Sequence, residues 1–86
     1  MDRDRIFELI KETISHALKD SVDLETITET TDLVKDIGVT SLEGIEILVR
    51  LEDVFNIEIE DDELSMEIIS TISNCIDFVE RKLSNN

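Results

Sequence analysis

Apolar residues recur at three- and four-residue steps in three stretches of this 86-residue chain, and that period specifies amphipathic helices, each with one face to bury. Ile6, Phe7, Ile10, Ile14, Ala17 and Leu18 mark the first, from Asp4 to Leu18. The second runs from Thr40 to Phe55, and the last, from Ile68 to Leu83, carries Ile72, Cys75, Ile76, Val79 and Leu83 on one stripe. Between the first two, "DSVDLETITETTDLVKDIGV" (20–39) mixes Ser, Thr and Asp with isolated Val22, Leu24, Ile27, Leu33, Val34 and Ile37. That is the pattern of a long loop pinned to the core at intervals, and such loops often contain a helical turn or carry function. Gly38, one of only two glycines, predicts a backbone turn with positive φ near the loop's end. After "NIEI", the acids Glu60, Asp61, Asp62 and Glu63 head a short third helix, where carboxylates oppose the positive end of the helix dipole. The expected fold is all-α: a four-helix bundle with three longer helices, one short helix and a long loop between helices one and two. Residues 1–86 then form a single domain.

"TSLE" carries the start signal of the second helix, with Thr40 as N-cap and Glu43 three residues on as its capping-box partner. On that assignment Ser41 stands at the first helical position with its hydroxyl facing water; the alternative is that Ser41 is itself the cap. At 100° per residue the helix shows two apolar stripes. Ile47, Leu48, Leu51, Val54 and Phe55 form one, while Leu42, Ile45 and Val49 lie opposite with Glu46, Glu52 and Asp53 around them. Only one stripe can face the core, since three short neighbouring helices cannot enclose this one on all sides. The other becomes an exposed apolar strip rimmed by acids, the profile of a docking surface in which apolar area gives affinity and charge gives steering.

With 22 acidic against 8 basic residues, the chain carries a formal net charge of −14 at pH 7. Nucleic acid is excluded as a partner, because phosphate binding needs a basic stripe and these cations are scattered, with Arg50 alone in the acidic middle of the chain. Basic protein surfaces are the complementary partners. The EF-hand pattern of a mid-loop glycine and a closing bidentate glutamate is missing, so no metal site is expected. Cys75 is the sole cysteine; no internal disulfide can form, and its place on an apolar stripe marks it as a small core residue. His16 falls beside Leu9, off the apolar face of helix one, and reads as solvated. Charges alternate in "MDRDRIFELIKE" where a signal peptide would have an apolar run, and no segment approaches the roughly 20 apolar residues of a membrane span. The reading is a cytoplasmic monomer without membrane insertion.

An exposed serine at a helix start still needs a use. A nucleophilic serine requires a base within hydrogen-bond reach and donors for an oxyanion. The chain has no G-x-S-x-G elbow, no placed histidine, no cluster of metal ligands and no phosphate-cradling glycine loop, so it is not expected to be an enzyme. The second use is as an acceptor that another enzyme modifies. Here "DIGVTSLEGIEILVRLEDVFNIEI" closely resembles the attachment segment of acyl carrier proteins: a glycine, a variable residue, usually Asp, then Ser-Leu, leading into an acidic helix that ends in phenylalanine before an "I-E-I"-like tail. The resemblance spans nearly the full chain, with the first helix, the long loop, the acidic short helix and the final "ISTISNCIDFVE" in family order.

The resemblance implies that Ser41 receives 4′-phosphopantetheine from coenzyme A through a separate, magnesium-dependent phosphopantetheinyl transferase, and that the arm's terminal thiol carries acyl groups as thioesters. It also implies that Thr40, Leu42, Ile45, Glu46, Val49, Glu52 and Asp53 dock basic patches on that transferase and on acyl synthases, transferases and thioesterases. The chain departs from the commonest family pattern at three places: Thr40 stands where Asp is usual, Glu60 stands where proline often opens the short helix, and "EDDELSMEIISTI" is longer than in typical fatty-acid carriers and closer to specialised ones. Because the chain ends soon after the last helix, a standalone carrier for fatty acid or specialised lipid or polyketide synthesis is the expectation. The alternatives are an aminoacyl or peptidyl carrier, and an acidic adaptor in which Ser41 stays unmodified.

Overall fold

A computed structural model of the chain describes residues 2–19, 22–63 and 70–84. Helix α1 (Arg3–Ala17) starts where the Asp2 carboxylate accepts from the Arg5 backbone N–H at 2.8 Å, an N-cap that satisfies one otherwise free donor. It buries Ile6, Ile10, Thr13, Ile14 and Ala17, and the Thr13 hydroxyl, the one buried polar group of the described core, donates back to the Leu9 carbonyl at 2.8 Å. Helices α2 (Ser41–Phe55) and α3 (Ile72–Ser84) both pack against α1, which is therefore the central element of the bundle. Ile47, Leu48, Leu51 and Phe55 from α2 meet Ile72, Cys75, Ile76, Phe78 and Val79 from α3 in one core. Among the described residues the architecture is all-helical, as expected, with three long helices and short turns between them.

Apolar residues outside the three long helices complete that core. Ile27 and Leu33 from the long loop, Val39 just before α2, and Ile57 and Ile59 just after it are all buried. The loop is pinned as its apolar spacing predicts, and it contains two short helical turns, a 3₁₀ turn at Leu24–Thr26 and a wider π turn at Leu33–Ile37. Asp32 caps the π turn, accepting from the Val34 and Lys35 N–H groups at 2.9 and 2.8 Å. Gly38 closes it at φ 86°, the left-handed conformation that glycine adopts without a Cβ penalty.

Three expectations need correction or completion. The last helix begins at Ile72 and not at Ile68, which lies outside the described residues. Ser70 and Thr71 are drawn into an antiparallel bridge with the loop: Leu33 N–H donates to the Ser70 carbonyl at 2.9 Å and Ile72 N–H to the Thr31 carbonyl at 3.1 Å. The Thr71 hydroxyl then accepts from Asn74 N–H at 3.1 Å as the helix cap. Val54, expected on the core stripe, is 43% exposed. The stripe centres on Gly44, Leu48, Leu51 and Phe55, and Val54 is rotated about 60° from Leu51, toward the wall of a groove beside α1. Of the expected short acidic helix, Asp61–Glu63 forms a 3₁₀ turn, and residues 64–69 lie outside the described residues.

Two cations tie distant elements. Arg3 reaches Glu29 of the loop at 3.0 Å and, on α3, Asp77 at 2.9 Å, Glu80 at 2.6 Å and the Ser73 hydroxyl at 3.3 Å. Lys82 meets Glu63 at 2.6 Å, and that hydrogen bond, joined by one from the Glu60 N–H, holds the Glu63 carboxyl below its ordinary value of 4.5. Cys75 is fully buried, and burial alone pushes its thiol up to about 12, because the interior disfavours a thiolate.

Candidate functional site

Ser41 owes its position to the residues on either side. Gly38 turns the chain, its N–H and that of Val39 both donating to the Leu33 carbonyl, and Val39 is buried. Thr40 follows in extended conformation, φ −80° and ψ 167°, and caps α2. Its hydroxyl accepts from Glu43 N–H at 3.2 Å while the Glu43 carboxylate accepts from Thr40 N–H at 3.0 Å, so both halves of the capping box form. Of the two caps the sequence allows, the structure has Thr40.

Ser41 is left as the first residue of α2, exposed, with its hydroxyl engaged by nothing among the described residues. The backbone N–H groups of Ser41 and Leu42 likewise have no partner there, since Thr40 takes the donors of Glu43 and Gly44. Two free donors and the positive end of a 15-residue helix dipole therefore lie beside an accessible hydroxyl. An anion attached to that hydroxyl would be favoured. Loss of the Thr40 cap, Thr40→Ala, should cost about 1 kcal/mol of stability, and Thr40→Asp, which keeps a capping oxygen, should cost little. Chemical denaturation of the two variants checks this; an unchanged midpoint for Thr40→Ala contradicts the capping role.

The second stripe of α2 is solvent-facing. Leu42 is 77% exposed, Ile45 46% and Val49 48%, and Glu46 and Asp53 are exposed on its flank. Glu52 differs from its neighbours: half-buried, its carboxylate accepts from Ile59 N–H at 2.9 Å and anchors the segment that follows α2. That bond fixes one of the rim acids to the fold, a role that helical spacing did not reveal. Asn56, left-handed at φ 53°, ends the helix and turns the chain so that Ile57 and Ile59 reach the core. Lone His16 is exposed and far along the sequence from Ser41, on the wall of the α1–α2 groove.

The site therefore has an accessible hydroxyl with anion-stabilising donors and, among the described residues, no hydrogen-bonded base, next to an apolar strip with an acidic flank. The family model described as "Phosphopantetheine attachment site" matches residues 8–79. Acyl carrier protein of Guillardia theta is 34% identical over 84 residues, 98% of this chain and 99% of the relative. That of Thermotoga maritima is 33% identical over 94% of this chain and 95% of its own length, and that of Wolinella succinogenes 37% identical over 87% and 93%. The family carries 4′-phosphopantetheine covalently, and the donors at the head of α2 suit its phosphate. Fold, site and similarity along nearly the whole chain agree: this protein belongs to the acyl carrier protein family.

Proposed function

We propose that Ser41 is the attachment residue, that the chain works as one acyl carrier domain, and that separate enzymes perform the chemistry. The observation that carries this is the exposed, unengaged hydroxyl at the first position of α2, kept free because Thr40 does the capping. When attached, the prosthetic group supplies a long arm ending in a thiol that holds an acyl group as a thioester. Ser41 supplies the oxygen for the phosphodiester link, and the N–H groups of Ser41 and Leu42 face the charge that the link brings. Glu43 opposes that charge but is drawn back onto Thr40 N–H. Leu42, Ile45 and Val49 dock partner enzymes, with Glu46 and Asp53 steering basic patches toward the strip. Phosphopantetheinyl transferase, using coenzyme A, and the synthases, transferases and thioesterases of fatty acid or specialised lipid or polyketide synthesis are the partners of this reading, in the cytoplasm.

Intact mass spectrometry after incubation with coenzyme A, magnesium and a phosphopantetheinyl transferase tests it. The wild-type chain should gain one phosphopantetheinyl group and Ser41→Ala none. An adduct that persists on Ser41→Ala moves the site elsewhere. A wild-type chain that stays unmodified with several transferases is instead an acidic adaptor.

A further inference from the structure

Arg50 is the single basic residue of α2 and takes no part in the core, the cap or the attachment site. Glu46, Arg50 and Asp53 follow one another at steps of four and three, which places them on one flank of the exposed apolar strip with a cation between two acids. Among the described residues the guanidinium makes one ion pair, with Glu46 at 3.4 Å, and both side chains are nearly half exposed. On its inner side Arg50 and Val54 form one wall of a groove of about 240 Å³, and Leu9, Glu12, Thr13 and His16 of α1 form the other, while the side chain stays nearly half exposed.

A lone surface ion pair at that distance adds little stability. Its effect on charge is larger. Arg50 removes one unit of negative charge from the flank that steers basic partners and holds the Glu46 carboxylate that would otherwise meet them. We propose that Arg50 is a specificity-determining residue of the docking face: it penalises partner enzymes whose contact patch is uniformly basic and favours those that place an acidic side chain opposite it. Specificity of this kind comes from a repulsive element as much as from attractive ones. This inference rests on the docking role proposed for α2, and the experiment separates the two.

The probe is a broad-specificity phosphopantetheinyl transferase with a basic contact face, with kcat/KM measured for wild type, Arg50→Lys, Arg50→Gln, Arg50→Glu, Glu46→Gln and Asp53→Asn. Arg50→Gln should raise kcat/KM about two- to fivefold and Arg50→Glu by a similar factor again, while Arg50→Lys stays at the wild-type value. These gains should collapse at about 0.5 M salt, where the Debye length falls to a few ångströms. Among single replacements of the transferase's contact-face lysines and arginines by glutamate, at least one should slow wild type less than it slows Arg50→Gln. If Arg50→Gln is no faster while Asp53→Asn is slower, the docking face stands and the role of Arg50 is overturned. Should Glu46→Gln and Asp53→Asn also leave the rate unchanged, the docking reading falls and this one with it.

Discussion

Leu51→Ala and Ile47→Ala will each destabilise the protein by about 2 to 5 kcal/mol, the range for truncating large aliphatic core side chains. Both residues are fully buried, and the described chain has few alternatives for filling the space, since α1 already packs against both α2 and α3. A domain this small has only a few kcal/mol to lose, so Leu51→Ala should be largely unfolded at 37 °C. Ile45→Ala and Val49→Ala, less than one helical turn away, should change stability by about 0.5 kcal/mol or less, because their side chains are half in water. The exposed pair should instead slow loading of Ser41. Denaturant unfolding and transferase kinetics on all four variants decide the matter, and the opposite assignment would mean that α2 is turned the other way round.

Arg3→Met should lower the melting temperature more than replacement of any other charged surface residue of the described chain. The stem is kept, so lost packing does not confuse the result. What disappears is the one cation that joins Glu29, Asp77 and Glu80, leaving three carboxylates and the Ser73 hydroxyl facing one another on a chain whose formal charge falls from −14 to −15. The Arg3 guanidinium is bound up more firmly than in a lone pair: the hydrogen bond to Asp77, then that to Glu29, raises its affinity for the proton despite partial desolvation. Like charges repel over about a Debye length, so added salt should restore much of the lost stability in Arg3→Met. Arg81→Met, which removes an exposed cation beside the Phe78 ring, is the reference. A melting temperature for Arg3→Met no lower than that of Arg81→Met, or one that salt leaves unchanged, contradicts the role of Arg3 as a clasp.

What the sequence made legible was local. Gly38, Thr40, Ser41 and Glu43 lie within six residues, and the turn, the cap and the exposed hydroxyl all follow from interactions within that span. The capping of α1 by Asp2 has the same local logic, but the apolar spacing placed the start of that helix at Asp4 and missed the cap. The start of α3 was not legible in this way. Ile68 and Ile72 continue a helical period, but Thr71 forms an antiparallel bridge with Asp32, with Ser70 and Ile72 bonded to Leu33 and Thr31, about forty residues away in sequence. Nothing in the local sequence announces that pairing. Glu52 shows the same limit: wheel geometry puts it among the rim acids, while its bond to Ile59 N–H depends on how the chain turns at Asn56. Val54 failed for a simpler reason, since a wheel ranks directions but cannot say how wide a wedge the neighbouring helix covers.

The burial of Cys75 bears on the fidelity of the cargo. A thioester exchanges with any thiolate that can reach it, and a carrier with a reactive cysteine of its own could strip acyl groups from its arm or form a mixed disulfide with it. Cys75 avoids both outcomes through its burial, which acts in two ways. Its side chain lies in the core with no exposed surface, and a thiol pushed up to about 12 is almost wholly protonated at neutral pH. The packing that makes this cysteine a good core residue also keeps the chemistry of the loaded protein confined to one sulfur, the one at the end of the arm.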